Sequence, residues 1–303
     1  MMESSHLLSV IVPVRNMEER LDYLQEWLKS SKNLDLQVIL VHDESGDSTG
    51  TELRRILSEN ELNQVVLIEG FFGSPGSARN AGIQASSGKW ITYWDSDDAP
   101  KVEIVFGYVA HAVDEASQMV IGSFQTIDLS NGEVKSQILS DSIEPETMLA
   151  IGMNPGLWRI VIKRTLIGDS RFPPTKMAED QTFLAEIFAK IGVFETTQRV
   201  FYTYHKGFLN QLTSRKDAID ELPKSLESLS TASYILQELS VVRVIMAYRQ
   251  LMTSLKFCSW SKKVAAVKAF ITFFVKTRFT LRETISAGKF FVEANSRRLR
   301  LGR

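Results

Sequence analysis

The first hundred residues alternate short apolar runs, rich in β-branched and aromatic side chains, with segments of helical periodicity. This pattern predicts strands at residues 7–14, 37–41, 64–68 and 90–94, and helices at residues 18–29, 49–58 and 74–86. A helix between two successive strands favours parallel pairing, because the crossover returns the chain to the same end of the sheet. The sequence therefore predicts an α/β fold whose mostly parallel central sheet is covered by helices on both faces.

The rest of the chain divides near residue 216. Before that point, residues 118–127 and 201–204 predict further strands, and residues 182–190 predict a helix. After it the pattern is helical throughout, with segments at residues 221–237, 241–257, 262–276 and 281–301. We therefore predict two regions, an α/β domain at residues 1–215 and a helical C-terminal region at residues 216–303.

Composition narrows the class of protein. A chain of 303 residues that is 44% hydrophobic can bury a sizeable core. Its single cysteine, Cys258, excludes an internal disulfide and a cysteine-rich zinc site. The first apolar run is short, is interrupted by Pro13, and lacks the preceding basic residues of a secretory signal. We expect a cytoplasmic location.

The net charge of -1 conceals a strong asymmetry. Residues 241–303 contain 14 Lys and Arg against 2 Asp and Glu, whereas the preceding 240 residues are acidic. Apolar residues recur there at helical spacing, among lysines, at Trp260, Val264, Val267, Ile271 and Phe274. This pattern favours an amphipathic helix on an anionic membrane surface, or alternatively a helical bundle that packs on the α/β domain or on a second subunit. No recognition motif for nucleic acid accompanies the charge.

Two carboxylates follow the predicted strand at residues 90–94, in the sequence Asp95-Ser96-Asp97-Asp98. Side chains alternate along a strand, so Asp95 and Asp97 are expected to point the same way. Such a pair suits Mg²⁺ or Mn²⁺, and these ions commonly also hold substrate phosphates, which suggests a nucleotide diphosphate. The alternative is an acidic turn that caps the next helix.

Polar clusters also follow the first two predicted strands, at residues 13–16 and 42–47. In open α/β sheets, ligands bind beyond the carboxyl ends of the strands, so the three clusters should line one site. Asp43 and Asp47 could accept a hydrogen bond from the imide N–H of a uracil or thymine ring. Asp47 or Ser48 could equally cap the helix that begins near Thr49.

Two further segments suggest chemistry. Residues 73–82 combine small side chains with Arg79 at a helix start, which suits a pyrophosphate or a ribose, although a surface turn is the alternative. Residues 177–181 precede a helix, where Asp180 could act as a general base or could simply complement the helix dipole.

The order of these motifs resembles that of the inverting family 2 glycosyltransferases of the GT-A fold. The resemblance covers residues 7–215 and rests on residues 9–16, 41–49, 78–82, 94–98, 179–180 and 202–205. It implies a nucleotide-sugar donor, most often a UDP-sugar, whose diphosphate is bridged to Asp95 and Asp97 by Mn²⁺ or Mg²⁺. It also implies that Asp180 is the catalytic base. His42 and Glu44, on either side of Asp43, depart from the family's usual Asp-Asp-Gly-Ser pattern.

The same resemblance assigns roles to individual residues. The donor nucleotide would be bound by Pro13, Val14, Asn16, Asp43, Ser45, Asp47, Arg79, Asn80, Asp95 and Ser96. The metal would be held by Asp97 and Asp95, with His205 as a possible further ligand. The acceptor would meet Trp158, Asn154 and Glu179, with Lys163 in the same region.

The resemblance and the basic C-terminal region together predict a bacterial enzyme of surface polysaccharide biosynthesis. We expect it to be peripheral on the inner face of the cell membrane and to act on a glycan or lipid-linked acceptor, and a homo-oligomer is left open. One alternative is a catalytically silent nucleotide-sugar-binding module. A nucleotidyltransferase is less favoured, because those enzymes usually carry a Gly-rich loop after the first strand, where this chain has Pro13-Val14-Arg15-Asn16.

Overall fold

A computed structural model describes residues 6–60, 62, 65–208, 216–229 and 237–277. The strands within these ranges are β1 (His6–Val14), β2 (Leu36–Asp43), β3 (Val65–Gly70), β4 (Gly88–Tyr93), β5 (Ala99–Pro100), β6 (Met119–Asp128), β7 (Val134–Gln137), β8 (Ile160–Lys163) and β9 (Phe194–Lys206). The α-helices are α1 (Leu21–Ser31), α2 (Thr49–Glu59), α3 (Pro75–Ala85), α4 (Val102–His111), α5 (Pro145–Met153), α6 (Arg164–Ile167), α7 (Glu179–Phe188), α8 (Lys216–Ile219), α9 (Leu222–Ser228), α10 (Gln237–Phe257) and α11 (Trp260–Thr277). A short 3₁₀ helix covers Leu157–Arg159.

The strands form one mixed sheet with the order β3-β2-β1-β4-β8-β6-β9-β5, and β7 pairs with β6. The first four strands pair in parallel, as the alternation of strands and helices predicts. Strand β8 then runs antiparallel to both β4 and β6, whereas β6 and β9 pair in parallel. The predicted α/β class is therefore confirmed, with an antiparallel insertion that the sequence analysis did not identify.

Two buried clusters lie on the opposite faces of this sheet. Along β1, Val10 and Val12 belong to the cluster that α1, α2 and α4 cover, while Ile11 belongs to the cluster that α3 and α7 cover. Alternate residues of a strand point to opposite faces, so a strand that is apolar at every position must be covered on both sides. The continuous apolar runs of β1 and β2 are thus explained by helices on both faces.

The C-terminal helices pack against this framework. Helix α10 contacts α5, and α11 contacts α9 and α10. Val242, Met246 and Phe273 from these helices share the buried cluster of Ile11 and Tyr93 in the sheet. Among the described residues, none of the helices combines the length and the apolar character needed to span a bilayer.

Several helix boundaries differ from the predictions. The predicted helix at residues 221–237 corresponds to α9, which ends at Ser228, and residues 230–236 lie outside the described ranges. Helix α11 begins at Trp260 rather than at residue 262. The predicted helix at residues 281–301 also lies outside the described residues. The boundary at residue 216 stays a prediction.

Two helical glycines give a matched test of the packing between α3 and β1. A Cβ added at Gly82 in α3 would lie 2.3 Å from Cγ2 of Ile11, whereas one added at Gly107 in α4 would meet no atom within 4 Å. We expect Gly82→Ala to lower the free energy of unfolding by about 1–3 kcal/mol through overpacking. Gly107→Ala should instead raise it by about 0.5–1 kcal/mol, because alanine is the better helix former. Urea unfolding of both variants measures the difference, and equal effects would contradict the close approach of α3 to the sheet.

Candidate active site

The carboxylate of Asp43, at the end of β2, joins the loops after β1 and β3. Its Oδ1 accepts hydrogen bonds from the backbone N–H groups of Phe72 and Gly73 at 2.6 and 3.0 Å. Its Oδ2 accepts one from the guanidinium of Arg15 at 3.0 Å, and Arg15 itself is half-exposed. A carboxylate oxygen can accept more than one hydrogen bond, so Asp43 could meet a base only by sharing Oδ2 with Arg15.

The loop after β1 is held to the loop after β2 by reciprocal hydrogen bonds. Asn16 has a positive φ of 52°, its backbone N–H donates to Oγ of Ser45 at 2.9 Å, and its Oδ1 accepts from the N–H of Gly46 at 2.9 Å. Asparagine is one of the few residues that tolerate this left-handed conformation. These contacts turn the loop without the glycines of a phosphate-binding loop, and they engage the side chains of Asn16 and Ser45 in hydrogen bonds between the two loops at the protein surface.

Two more of the predicted donor residues make internal contacts. Asp47 accepts from the backbone N–H and the hydroxyl of Thr49 at 3.0 and 2.5 Å, which is the helix-start role that we had given as the alternative. The side-chain amide of Asn80 exchanges two 2.9 Å hydrogen bonds with the backbone of Phe172. Pro13 and Val14 lie within β1, paired with Val41 and His42.

His42 fills the position where the family pattern departs. The imidazole is buried, with Nδ1 3.2 Å from a carboxylate oxygen of Glu69 and Nε2 3.0 Å from Oγ of Ser45. It also lies close to α2, because a Cβ at Gly50 would be 2.5 Å from the ring. His42 therefore lies between β2 and α2, where its ring contacts Ser45 and supports the loop after β2.

Arg79 in α3 connects the strand-end carboxylates to α7. Its guanidinium donates to Glu179 Oε1 at 2.6 Å and to Asp95 Oδ1 at 2.9 Å, and the side chain is only 9% exposed. Burial alone would lower the pKa of Arg79, but the charges of Glu179 and Asp95 raise it above its usual range. One buried cation therefore fixes the distance between Asp95 and the first turn of α7.

Asp180 follows Glu179 in that first turn. Burial and the negative charge of Glu179 raise the pKa of Asp180 to about 7, against the opposing effect of Arg79. The backbone enters the helix through Ala178, whose φ is 58°, and the carbonyl of Ala178 accepts a 2.9 Å hydrogen bond from Oγ of Ser225 in α9. The result is a partly buried carboxyl whose pKa matches the pH at which a general base must operate.

The carboxylates after β4 face different partners. Asp97 accepts from the guanidinium of Arg20 at 3.0 Å, and Asp98 is buried and accepts from the backbone N–H of His205 at 2.7 Å. The hydroxyl of Tyr202 accepts from the backbone N–H of Asp95 at 3.0 Å. Burial, together with the charge of Asp95, raises the pKa of Asp97, and Asp98 shows a larger shift in the same direction. Three acidic side chains therefore lie close enough to influence one another here.

The carboxylates after β4 are candidate ligands for a divalent cation. Within the described part of the chain, no three His, Cys, Asp or Glu side chains are arranged as a complete metal site. Mg²⁺ and similar ions, however, commonly take only one or two carboxylates from the protein and the remaining ligands from substrate phosphates and water. Burial first, and then the negative charge of Asp95, raise the pKa of Asp97, and a bound cation would offset the repulsion between these two carboxylates. Asp97 and Asp95 therefore fit such an ion.

His205 and Trp158 lie beside these groups. Nδ1 of His205 is 3.0 Å from the backbone oxygen of Asp97, and the ring packs on Tyr23 at 4.6 Å between centroids. Trp158 stacks on Tyr202, the residue whose hydroxyl binds the backbone of Asp95, at 4.6 Å and an interplanar angle of 19°. Both side chains are thus packed into the wall of the site.

The remaining predicted acceptor residues are dispersed. Asn154 is exposed, and its carbonyl accepts from the guanidinium of Arg159 at 2.5 Å. Glu179 is buried against Arg79. Lys163 pairs with Trp90 near the start of β4 and donates to the carbonyl of Glu115 at 2.6 Å, at the end of the strand away from Asp95. Lys163 therefore lies away from the carboxylates that follow β4, and its place in the acceptor region stays a prediction.

Two site residues were missed. Arg20 immediately precedes α1 and reaches Asp97, and a lone arginine at a helix start gives no signal that it will pair with an aspartate 77 positions later. Tyr202 lies within β9, and the sequence pattern predicts a strand there but gives no sign that its hydroxyl meets the backbone of Asp95.

Comparison with known proteins now identifies the family. The sequence profile described as Glycosyl transferase family 2 matches residues 9–182, more than half of the chain. The chain belongs to glycosyl transferase family 2. The match includes Asp43, Arg79, Asp97 and Asp180, and it supports a transferase activity for this glycosyltransferase.

Individual relatives are distant. Glycosyltransferase GlyA of Streptococcus pneumoniae serotype 4 is 23% identical over 264 residues, which are 81% of this chain and 37% of GlyA. The chain thus spans little more than a third of that relative. A Campylobacter jejuni enzyme, GalNAc(5)-diNAcBac-PP-undecaprenol beta-1,3-glucosyltransferase, is 21% identical over 218 residues, 70% of this chain and 66% of the relative.

A solved structure confirms the fold. S. aureus TarS 1-349 in complex with UDP-GlcNAc superposes with a TM-score of 0.70 at 20% identity, covering 89% of this chain and 81% of TarS 1-349. Together with the family match, this likeness confirms the predicted GT-A fold with its additional C-terminal helices.

Removing the guanidinium of Arg79 tests the link between α3 and α7. We expect Arg79→Met to lower the free energy of unfolding by about 3–5 kcal/mol, because Glu179 would be left as a buried, unpaired carboxylate. Arg55→Met serves as the control, since Arg55 pairs with Glu52 and Glu59 on the exposed side of α2 and should contribute at most about 1 kcal/mol. Urea unfolding at neutral pH measures both changes. Equal losses would contradict the buried bridge.

Proposed function

We propose that this glycosyltransferase transfers a sugar from a nucleotide-diphosphate sugar, specifically a UDP-sugar, to a hydroxyl group of a glycan or lipid-linked acceptor with inversion at the anomeric carbon. The observation that carries the proposal is the bridge through Arg79. It holds Asp95, on the predicted donor side, next to the helix turn that presents Asp180. A general base and a diphosphate-binding carboxylate must flank the same reacting carbon, and this bridge provides that proximity.

Asp180 is the base in this proposal. It removes the proton from the acceptor hydroxyl as that oxygen attacks the anomeric carbon, and the bond from this carbon to the diphosphate oxygen breaks in the same step. The nucleoside diphosphate leaves with the bonding electrons, so the configuration inverts. A pKa of about 7 leaves Asp180 half ionised near neutral pH, yet basic enough to hold the proton that it takes.

The donor side is assigned to the strand-end carboxylates. Asp97, with Asp95, would hold Mn²⁺ or Mg²⁺, which when bound stabilises negative charge on the departing diphosphate. Arg20 already neutralises Asp97 at 3.0 Å and lies where it could contact the same phosphates. Asp43 is proposed to meet the base through Oδ2, which it shares with Arg15.

The relatives support the choice of donor and acceptor. TarS is described in complex with UDP-GlcNAc, and the name of the Campylobacter jejuni enzyme specifies an undecaprenol-linked acceptor. We therefore propose a role in bacterial surface polysaccharide biosynthesis, on the inner face of the cell membrane. Trp158 and Asn154 are proposed to approach the acceptor, since Trp158 stacks on Tyr202 beside Asp95.

The role of Asp180 gives a pH dependence with a definite sign. A base must be deprotonated to act, so kcat/KM should rise as the pH increases through about 7 and fall about tenfold per pH unit below it. Asp180→Asn should reduce turnover by about 10²-fold or more, leave UDP affinity within about twofold, and abolish this limb of the profile. Hydrolysis of UDP-sugars in the absence of acceptor, followed by release of UDP, measures the rate.

The same group should affect stability in a predictable direction. The folded pKa of Asp180 lies near 7 and the unfolded value near 3.9, so the folded state binds the proton more tightly. Its contribution is therefore fully present below about pH 4 and is lost as the pH rises to about 7. Asp180→Asn should be more stable than the parent at pH 8 but not at pH 4. If Asp180→Asn retained turnover, or showed weakened UDP binding with normal turnover, the assignment of Asp180 as the base would be contradicted.

The role of Asp97 is tested by nucleotide binding rather than by turnover. We expect Asp97→Asn to lose at least about tenfold in Mn²⁺-dependent UDP affinity, because a carboxylate ligand is removed from the cation. Affinity without added metal should change little. Titration calorimetry of UDP with Mn²⁺ or with EDTA measures both, and Asp22→Asn on the exposed side of α1 is the control. An unchanged metal effect in Asp97→Asn would overturn the metal assignment.

A screen of nucleotide sugars decides between an enzyme and a silent module. The proposed enzyme should hydrolyse at least one UDP-sugar above background, and the Asp180→Asn protein should not. Binding of UDP without turnover of any donor, in a protein that unfolds cooperatively, would favour the binding module instead.

A further inference from the structure

Helix α11 has two apolar faces, and within the described part of the chain only one of them is buried. Ala266, Ala269 and Phe273 are buried against α9 and α10. The opposite side, which we call the outer face, consists of exposed apolar residues along the whole helix, namely Trp260, Val264, Val267, Ile271 and Val275. A helix that is apolar on all sides is normally covered on all sides.

The outer face is continuous rather than scattered. Its members follow one another at steps of four, three, four and four residues, which keeps them on one side of a helix with 3.6 residues per turn. Trp260 is 80% exposed, Ile271 58% and Val275 73%. Single exposed apolar side chains are common on protein surfaces, but a continuous stripe of them marks an interaction surface.

The charged side chains of α11 itself are all positive, and the one carboxylate placed at its start within the described residues is Asp220, which accepts a 3.2 Å hydrogen bond from the N–H of Ser259. Lys263 and Lys268 lie next to the stripe along the helix, and Lys276 is exposed near its end. The sequence contains no Asp or Glu between Glu238 and Glu283, so no carboxylate of α11 offsets these lysines. An apolar stripe whose own helix carries only lysines as charged residues is complementary to a membrane surface, which has apolar acyl chains beneath anionic headgroups.

We propose that the outer face of α11 docks on the surface of an anionic lipid bilayer, with Trp260, Ile271 and Val275 inserted among the acyl chains and the lysines at the phosphate level. The inference names the membrane partner of the proposed function, but it rests on the exposed surface and not on the transferase chemistry. Trp260 suits the boundary, because its ring is apolar while its indole N–H can still reach water or a headgroup.

Charge argues against the two other possible occupants of the outer face. A second copy that used the same face would bring its own lysines opposite these lysines, since a two-fold interface pairs identical surfaces. The chain beyond α11 is also basic, with 7 Lys and Arg against 2 Asp and Glu at residues 278–303. Neither offers the negative charge that the lysines match, whereas an anionic membrane surface does.

The surface is also well placed relative to the proposed base. Helix α11 packs on α9, and Ser225 of α9 donates a 2.9 Å hydrogen bond to the carbonyl of Ala178, immediately before Glu179 and Asp180. Gln250 of α10 donates to Gln181 at 2.9 Å. Docking through α11 would therefore hold the bilayer at a fixed orientation to Asp180, as a lipid-linked acceptor requires.

The test is co-sedimentation of the full chain with vesicles of phosphatidylcholine alone or of phosphatidylcholine mixed with phosphatidylglycerol. We expect binding to the mixed vesicles, weakened by added salt. The double substitution W260S/I271S should reduce this affinity at least about tenfold, because two inserted apolar side chains are removed. K263Q/K268Q should reduce it at least about fivefold and flatten the salt dependence. V134S on β7, where Val134 is 56% exposed, is the control and should change nothing.

Each alternative outcome is distinguishable. Unchanged vesicle binding by W260S/I271S would overturn the proposal, as would equal binding to neutral and anionic vesicles. A dimer in size-exclusion chromatography that W260S/I271S converts to monomer, without vesicle binding by the parent, would assign the outer face to a second copy instead. UDP binding measured on the same preparations reports on the transferase site separately. Failure of the membrane proposal can therefore be distinguished from failure of the proposed transferase function.

Discussion

The architecture of the site depends on the buried guanidinium of Arg79. A buried cation needs carboxylate partners, and Arg79 takes one from each side of the site, Asp95 after β4 and Glu179 at the start of α7. Glu179 receives the direct hydrogen bond, so Asp180 next to it experiences burial and the charge of Glu179 with only partial compensation from Arg79. The two neighbouring acids thus differ, because Glu179 is held by the hydrogen bond from Arg79, whereas burial and the charge of Glu179 raise the pKa of Asp180 to about 7.

The same arrangement explains which features could be predicted from the sequence. The strands β1, β2 and β4 follow from apolar runs, because a strand covered on both faces is largely apolar, whereas β3 at the sheet edge is partly exposed. Strand β8 was missed, since its four residues, Ile160–Lys163, are too few to show a period. Its antiparallel position between β4 and β6 depends on tertiary packing that no local pattern contains.

Residue roles were harder to predict than motifs. The sequence places Asp43, Asp47, Ser45 and Asn80 near one edge of the sheet, but the residue type alone does not distinguish a side chain that binds a ligand from one that holds a loop. Asp47 and Asn80 make their hydrogen bonds to backbone within the protein, and Ser45 accepts from Asn16. Pairs such as Arg20 with Asp97 join distant positions, and a single sequence carries no signal for them.

The C-terminal region shows why its sequence allowed two interpretations. Bundle packing and surface docking both require apolar residues at helical spacing, and α11 satisfies both because it carries two stripes. Phe274, which the sequence pattern grouped with the exposed stripe, packs against the core, while Val275 takes its place outside. The buried side of α11, with Ala266, Ala269 and Phe273, packs on α9. Helix α9 in turn contacts Ala178, whose left-handed backbone conformation leads the chain into α7. The turn that carries Asp180 and the exposed stripe of α11 are therefore linked through α9 by direct contacts.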